Sequence, residues 1–253
     1  CTETLPGQTI RDSFLKFMSS NQPIMVLEGA PATGKDRCLE ELLRILKQTE
    51  TTISSQSITA GSDIPLLQQA QQAISKMFSE GSKSLYILKV SELNLCSSDA
   101  LSQIMFWAKA QGITLKIIGT QNKVSTGGSR FTTAVQFQEH TIQVPEFSRE
   151  CYIKIVNAMW EPHESKGHLN TYEFVDYHIC ISKSCEDNGL THRPTLRALE
   201  QTIKWSSNQD RNGLRSPFYV KYKADQSPII YTKSCTEVAS GGSPVTTLAE
   251  QTM

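Results

Sequence analysis

The stretch from Ile24 to Leu46, IMVLEGAPATGKDRCLEELLRIL, constrains the fold of this chain more than any other. It runs from a short aliphatic, β-branched segment through a glycine-bounded turn into an amphipathic helix, with Leu39, Leu42, Leu43 and Leu46 at i, i+3, i+4 and i+7 on one stripe. Glu40 and Arg44, one turn apart, read as part of the outer face. The turn carries Gly29, four residues, Gly34 and Lys35, the spacing of a phosphate-binding loop. Backbone N–H groups at the helix start and the positive end of its dipole suit an anion, and the lysine adds a point charge. The pattern then asks for Ser or Thr to hold magnesium, and here stands Asp36, a carboxylate that either repels phosphate or ligates the metal itself. An ordinary strand-to-helix turn with an accidental match is the plainer alternative, weighed against a strand and a helix standing on the required sides.

Strand-like and helix-like segments alternate through the first half of the chain, which predicts an α/β fold with a parallel sheet sandwiched by helices. SQSITA reads as a second strand, and DIPLLQQAQQAISKMFSEG as a helix burying Leu66, Leu67, Ala70, Ala73, Ile74, Met77 and Phe78 and ending at Gly81. SLYILKV is a third strand. SSDALSQIMFWAKAQG is a helix with Leu101, Ile104, Met105 and Ala108 on one face, stopped by Gly112. ITLKIIGTQN and HTIQV complete the strands. Residues 1–145 are therefore expected to form the main domain, 146–205 a smaller helical one, and 206–253 a hairpin-like segment, SPFYVKYKADQSPIIYT, with a mobile Ser-, Thr- and Gly-rich end.

Hydrolysis of a bound nucleotide needs acidic residues at the end of the third strand, to hold metal and orient water. The strand instead continues through Lys89, Val90 and Ser91, with Val90 and Ser91 read as standing where the acids belong. Glu92 follows alone and reads as an exposed residue opening a loop. Catalytic residues are accordingly expected to be none.

The order of these pieces, over roughly residues 5–205, resembles the AAA+ ATPase module of the origin-recognition and replication-licensing family, its largest subunit in particular. LPGQTIRDSFLKFM resembles the lead-in to the first strand. ILKVSELNLCSSDALSQIMFWAKAQGITLKIIGTQN resembles the acidic motif, the next helix and the first sensor strand, with Asn122 in the sensor position. TIQVPEFSRECYIKIVNAM resembles the junction with the helical lid, and THRPTLRALEQTIKW the lid helix carrying a second sensor arginine, Arg197 or, failing that, Arg193. Arg130, in GGSRF, resembles the finger arginine offered to a neighbouring subunit, at a longer spacing from Pro145 than the family shows. Because the departures fall on metal and water activation, the pattern also resembles the heterochromatin-silencing paralogues of that subunit in budding yeasts, which are regarded as nucleotide-free.

The resemblance implies a degenerate nucleotide site at Gly29, Gly34, Lys35, Asp36, Asn122 and Arg197 with no cofactor, ATP being the alternative. It implies a nuclear location, and partners among chromatin proteins, histones or replication-factor subunits, with local DNA contact and no membrane. The chain carries 25 basic and 25 acidic residues, so no net positive field draws it to nucleic acid. No apolar run approaches the ~20 residues that span a bilayer.

Other constellations carry blander readings. Seven scattered cysteines are unlike a disulfide framework and suggest a reducing compartment with no required disulfide. His178, Cys180, Cys185 and His192 lie close in sequence, but in a segment read as helical, where buried sulfur is expected rather than zinc. Cys151 with His140 or His163 lacks an orienting third group. Phe106, Trp107, Trp160 and Trp205 read as core or junction residues, and Lys221 and Lys223 as guards of an edge strand.

Overall fold

The computed structural model describes residues 4–30, 33–81, 83–95, 98–122, 140–160, 171–187, 199–200, 202–204, 219–222 and 228–231. The chain divides into two units, Cys1–Glu146 and Phe147–Met253.

The first unit alternates helix and strand: α1 (Leu5–Ser19), β1 (Ile24–Gly29), α2 (Lys35–Thr49), β2 (Ile53–Thr59), α3 (Leu66–Ser79), β3 (Leu85–Ser91), α4 (Ser98–Ala110), β4 (Leu115–Asn122) and β5 (Thr141–Gln143). The five strands form one parallel sheet in the order β2-β3-β4-β1-β5. Parallel strands covered on both faces are apolar along nearly their whole length, and β1 and β3 are buried almost throughout. Alternate residues nonetheless point to opposite faces. Ile87 and Ile118 pack with α1 and α2, against Phe14, Phe17, Leu39, Leu42 and Leu43. Leu88, Val90 and Ile117 pack with α3 and α4, against Ala70, Ile74, Leu101 and Ile104.

The Thr4 Oγ1 accepts from Gly7 N at 3.3 Å and caps the start of α1. The other end of α1 is closed from the sheet. Lys116 Nζ donates to the carbonyls of Phe17 (2.9 Å), Ser20 (2.7 Å) and Gln22 (2.9 Å) and lies 4.3 Å from the Phe17 ring centroid. A cation there meets the negative end of the helix dipole and the carbonyls at and just beyond the last turn. Phe78 does not enter the core: it is 43% exposed and rests on Tyr86, with ring centroids 4.8 Å apart. Phe106, expected in the core or at a junction, is 77% exposed, because Leu101, Ile104 and Ala108 already define the buried stripe of α4. Trp107 is partly buried against the same cluster.

In the second unit, α5 (Arg149–Trp160) and α6 (Thr171–Asp187) enclose a small core of Val156, Phe174 and Val175 with Leu199 and Ile203. Arg149 grips Asp176 in a bidentate pair, Nε–Oδ1 2.6 Å and Nη2–Oδ2 2.9 Å. The strands β6 (Tyr219–Tyr222) and β7 (Pro228–Tyr231) pair antiparallel, Tyr219 opposite Tyr231. Lys221 lies in β6; Lys223, Trp205 and residues 232–253 are outside the described residues.

His178 is buried and meets Tyr152 edge-on at 5.4 Å, whereas Cys180, two positions on along α6, is exposed. Residues two apart on a helix do not share a face. No group of His, Cys, Asp and Glu suited to a metal occurs among the described residues, and His163 and His192 lie outside them. Cys38 and Cys151 are buried free thiols. Cys180, expected as a buried sulfur, is exposed and disulfide-bonded. Among the described residues no helix is long and apolar enough to cross a membrane.

Candidate nucleotide site

Three neighbouring parallel strands end together at the carboxyl edge of the sheet, the edge where open α/β folds take ligands. Gly29 ends β1 opposite Asn122, the end of β4, and Val90 near the end of β3 stands opposite Gly119. The α2 helix starts beside this edge, after Gly34, whose φ of 78° is the left-handed conformation that glycine adopts without strain. Gly29 is needed for another reason. A Cβ there would lie 2.9 Å from the Val144 carbonyl oxygen, so the loop leaves β1 where only hydrogen fits.

Lys35 is buried at the first position of α2 and turns back into the loop. Its Nζ donates to the carbonyls of Gly29 (3.0 Å) and Ala30 (2.8 Å), to Thr33 Oγ1 (3.3 Å) and to Asn122 Oδ1 (3.4 Å). Burial lowers its pKa, and the charges of Asp36, Glu92 and Glu28 oppose that shift. Asn122 also donates through Nδ2 to Glu92 Oε2 at 3.4 Å. Glu92 therefore stands at the site, not as a solvent-facing loop residue. It holds a left-handed φ of 56°, rare for a residue with a side chain, immediately after β3.

Asp36 follows Lys35 and faces β3 and β4. Its Oδ1 accepts from Ser91 Oγ (2.7 Å) and Thr120 Oγ1 (3.0 Å) and pairs with Lys89 Nζ at 2.9 Å. Lys89 Nζ also reaches Glu40 Oε1 at 2.7 Å, one helical turn beyond Asp36. Burial pushes the Asp36 carboxyl up, but the bonds from Ser91, Lys89 and Thr120 and the Lys89 charge hold it below the ordinary carboxylate range. Glu40, exposed on the outer side as its spacing requires, thus reaches Lys89 with its carboxylate and does not pair with Arg44, which binds Glu41 at 2.7 Å instead.

Strand parity explains which residues meet. Residues 87, 89 and 91 share the face toward α2, as do 116, 118, 120 and 122 on β4. Val90, read from the sequence as one of two degenerate acid positions, points away and is fully buried against α3 and α4. Ser91 alone of that pair faces the loop. On the opposite face Glu28 bridges its neighbours in the sheet: Gln121 Nε2 donates to Glu28 Oε2, and Gln143 Nε2 to Glu28 Oε1 at 2.8 Å.

Gly29, Gly34, Lys35, Asp36 and Asn122 are thus brought to one edge, while Arg130, Arg193 and Arg197 lie outside the described residues. Lys89 and Thr120 join the site without having been singled out, and Glu40 and Glu92 join it although they read as an outer-face and an exposed loop residue. One signal could have found Lys89: a lysine inside a buried strand requires a carboxylate, and Asp36 and Glu40 lie four residues apart on the neighbouring helix.

Phosphate loops of this kind hold magnesium through the hydroxyl after the lysine and an acid on the facing strand. Here carboxylate and hydroxyl have exchanged sides, Asp36 on the helix and Ser91 on the strand, and an ammonium stands between the carboxylates. This donor set does not fit a resident magnesium ion. Lys35 and the glycine-shaped turn do suit a phosphate.

No protein-family model matches the sequence, and no curated protein resembles it closely enough to register. Solved structures do match. The Aeropyrum pernix ORC1 protein in complex with DNA superposes with a TM-score of 0.55 at 12% identity, over 84% of this chain and 63% of that one. DnaA from Aquifex aeolicus bound to AMPPCP gives 0.50 at 16% identity, over 83% of this chain and 62% of that one. A replication initiator DnaA bound to AMPPCP and single-stranded DNA gives 0.50 at 15% identity, over 82% of this chain and 62% of that one. The chain spans less than two thirds of the length of each. Its five-stranded parallel sheet between helices, with β1 followed by the phosphate loop, is the α/β fold of AAA+ ATPases.

Proposed function

We propose that the chain is a non-hydrolysing AAA+-type scaffold that presents protein-binding surface within an assembly on DNA, of the origin-recognition or chromatin-silencing kind. One observation carries the non-hydrolysing part: the Asp36 carboxylate is taken up by Lys89, Ser91 and Thr120, in the place where magnesium would be held. Without the metal, charge developing on a transferred phosphoryl group goes unneutralised. A balanced charge makes protein partners, histones or replication factors in a nucleus, more fitting than bulk DNA attraction. Local DNA contact is supported by the fold shared with initiators solved on DNA.

Steady-state phosphate release with magnesium and ATP tests this, and release at background is expected with or without double-stranded DNA. Turnover that disappears in Lys35→Ala would overturn it. Asp36→Thr alone should stay inactive, because Ser91 supplies no carboxylate and Lys89 remains. Immobilised nucleosomes should retain the chain at a salt concentration that strips it from naked duplex; equal loss from both would remove the case for a protein partner.

A second reading is favoured by a different observation. Lys35, Asn122 and Glu92 form a connected set at the sheet edge, the residues that would meet a nucleotide's end phosphate and its attacking water. On that reading the chain binds ATP in an oligomer and hydrolyses slowly, with Arg130 completing a neighbour's site.

A further inference from the structure

The residue in the metal's place is itself a cation. Lys89 is 2% exposed and sits in the middle of the sheet, on a strand whose neighbours Leu88 and Val90 are fully buried. A lysine at such a position must have its ammonium neutralised. The neutralising groups come from one helix, Asp36 and Glu40, at the i and i+4 spacing that puts both over β3. Ser91 and Thr120, from two adjacent strands, direct their hydroxyls at the same Asp36 oxygen. Carboxylates and hydroxyls gathered in this way are oxygens of the sort that hard divalent cations take. Here the two carboxylates close on a nitrogen, and the two hydroxyls hold the Asp36 oxygen that faces it.

We propose that the Lys89 ammonium is the resident cation of this phosphate loop, standing in for the divalent ion and excluding it. The proposal rests on the non-hydrolysing reading above and names its cause. A divalent ion bound to Asp36 would stand within a few ångströms of the ammonium, where like charges repel. Asp36 Oδ1 already meets three donors, more than its two lone pairs, which leaves a metal only the other carboxylate oxygen, beside the same ammonium. The ammonium also ties the start of α2 to the end of β3, a tie that a nucleotide-driven magnesium would make only when bound. The start of α2 is thus tied to β3 whether or not a nucleotide is present, and any phosphate accepted there arrives as the metal-free anion.

The direct test is manganese binding to the full chain, read by electron paramagnetic resonance, in the native protein, in Lys89→Met, and in Lys89→Met with Asp36→Asn. Methionine keeps the unbranched stem, one atom shorter, and removes its charge. The native chain should show no manganese site that depends on Asp36. Lys89→Met should gain one ion per chain, bound at least about tenfold more tightly than anything in the native chain, and the added Asp36→Asn should abolish the gain. If the native chain binds manganese in an Asp36-dependent way, or if folded Lys89→Met gains none, the proposal is wrong.

A second measurement needs no variant that must fold. A buried, hydrogen-bonded lysine ammonium gives a slowly exchanging ¹H–¹⁵N signal, and that of Lys89 should be present and unmoved by millimolar magnesium. Its loss or displacement on adding magnesium would overturn the proposal. Phosphate release separates the two readings: Lys35-dependent turnover with an undisturbed Lys89 signal sinks only the non-hydrolysing function. Displacement of Lys89 with background turnover sinks only the resident cation.

Discussion

A buried ion pair holds a fold in place chiefly through the penalty of breaking it. Removing one partner strands the other in low dielectric, and that usually outweighs the net worth of the pair. The two partners here are unequal. Lys89 is almost wholly buried, whereas the Asp36 and Glu40 side chains are 46% and 60% exposed, so solvent screens much of the attraction. Lys89→Met should therefore be tolerated better than Asp36→Asn, which leaves the ammonium with Glu40 alone. In urea denaturation we expect Asp36→Asn to cost about 1–3 kcal/mol, Lys89→Met less, and the double change less than the sum by about 1 kcal/mol. Strict additivity would show that the pair is passive. The folded Asp36 pKa lies below its unfolded value, so its contribution is complete above the ordinary carboxylate range and fades only as pH falls through the folded value. The coupling should accordingly be the same at pH 6 and pH 8. These contacts also show what was legible at residue scale. Gly29, Gly34, Lys35 and Asp36 are adjacent in a recognisable loop, and spacing alone marks them. Val90 and Ser91 were given one role between them because β3 is buried on both faces, and the apolar run from Leu85 to Leu88 carries no alternation to mark which positions face α2.

At the scale of elements, periodicity was most informative where a helix has one wet side. The Leu39, Leu42 and Leu43 stripe of α2 is buried as its spacing requires, and the apolar run of β1 lies in the middle of the sheet. It was least informative about polar residues that serve other elements. Lys116 is such a residue: its position in β4 is unremarkable in sequence, yet its ammonium closes the end of α1, almost a hundred residues away in the chain. Burial lowers its pKa, so the three carbonyls must hold a charge that water no longer reaches. Lys116→Met keeps an apolar stem and removes the donor, taking the ammonium from the carbonyls of Ser20 and Gln22 and leaving that of Phe17 to Ser20 alone. The expected loss is about 1–3 kcal/mol, with amide exchange accelerating in the last turn of α1 before the sheet is affected. Unchanged exchange there would mean that water replaces the ammonium without penalty. The methionine should not alter manganese binding, because Lys116 donates to the carbonyls at the end of α1, whereas Lys89 binds Asp36 and Glu40 on α2.

The whole molecule is two units with separate cores, and one titrating group should tell them apart. His178 belongs to the second unit, packed against Tyr152 and beside the cluster of Val156, Phe174 and Val175. Its Nε2 is buried without a hydrogen-bond partner, and burial lowers its pKa to about 4 from an ordinary 6.5. Between those values the unfolded chain binds a proton that the folded chain refuses. Stability is therefore fully present above pH 6.5 and falls as the medium is acidified toward 4, by at most about 3 kcal/mol. The Asp176 carboxyl does not compete in this window, because its pKa is lowered by the bond from Arg149 and it stays ionised. In the first unit Asp36 likewise remains charged. Acidification from pH 7 to pH 4.5 should thus lower the melting temperature of the second unit while leaving the first almost unmoved. Trp160 and Trp205 report on the second unit once Trp107 is replaced by Phe, and circular dichroism weighted by the larger unit reports on the first. His178→Phe should remove the pH dependence of the tryptophan signal, since a ring of similar size fills the space beside Tyr152 without a nitrogen to protonate. If both signals fall together at every pH, and still do so in His178→Phe, the two units unfold as one and the acid sensitivity has another source.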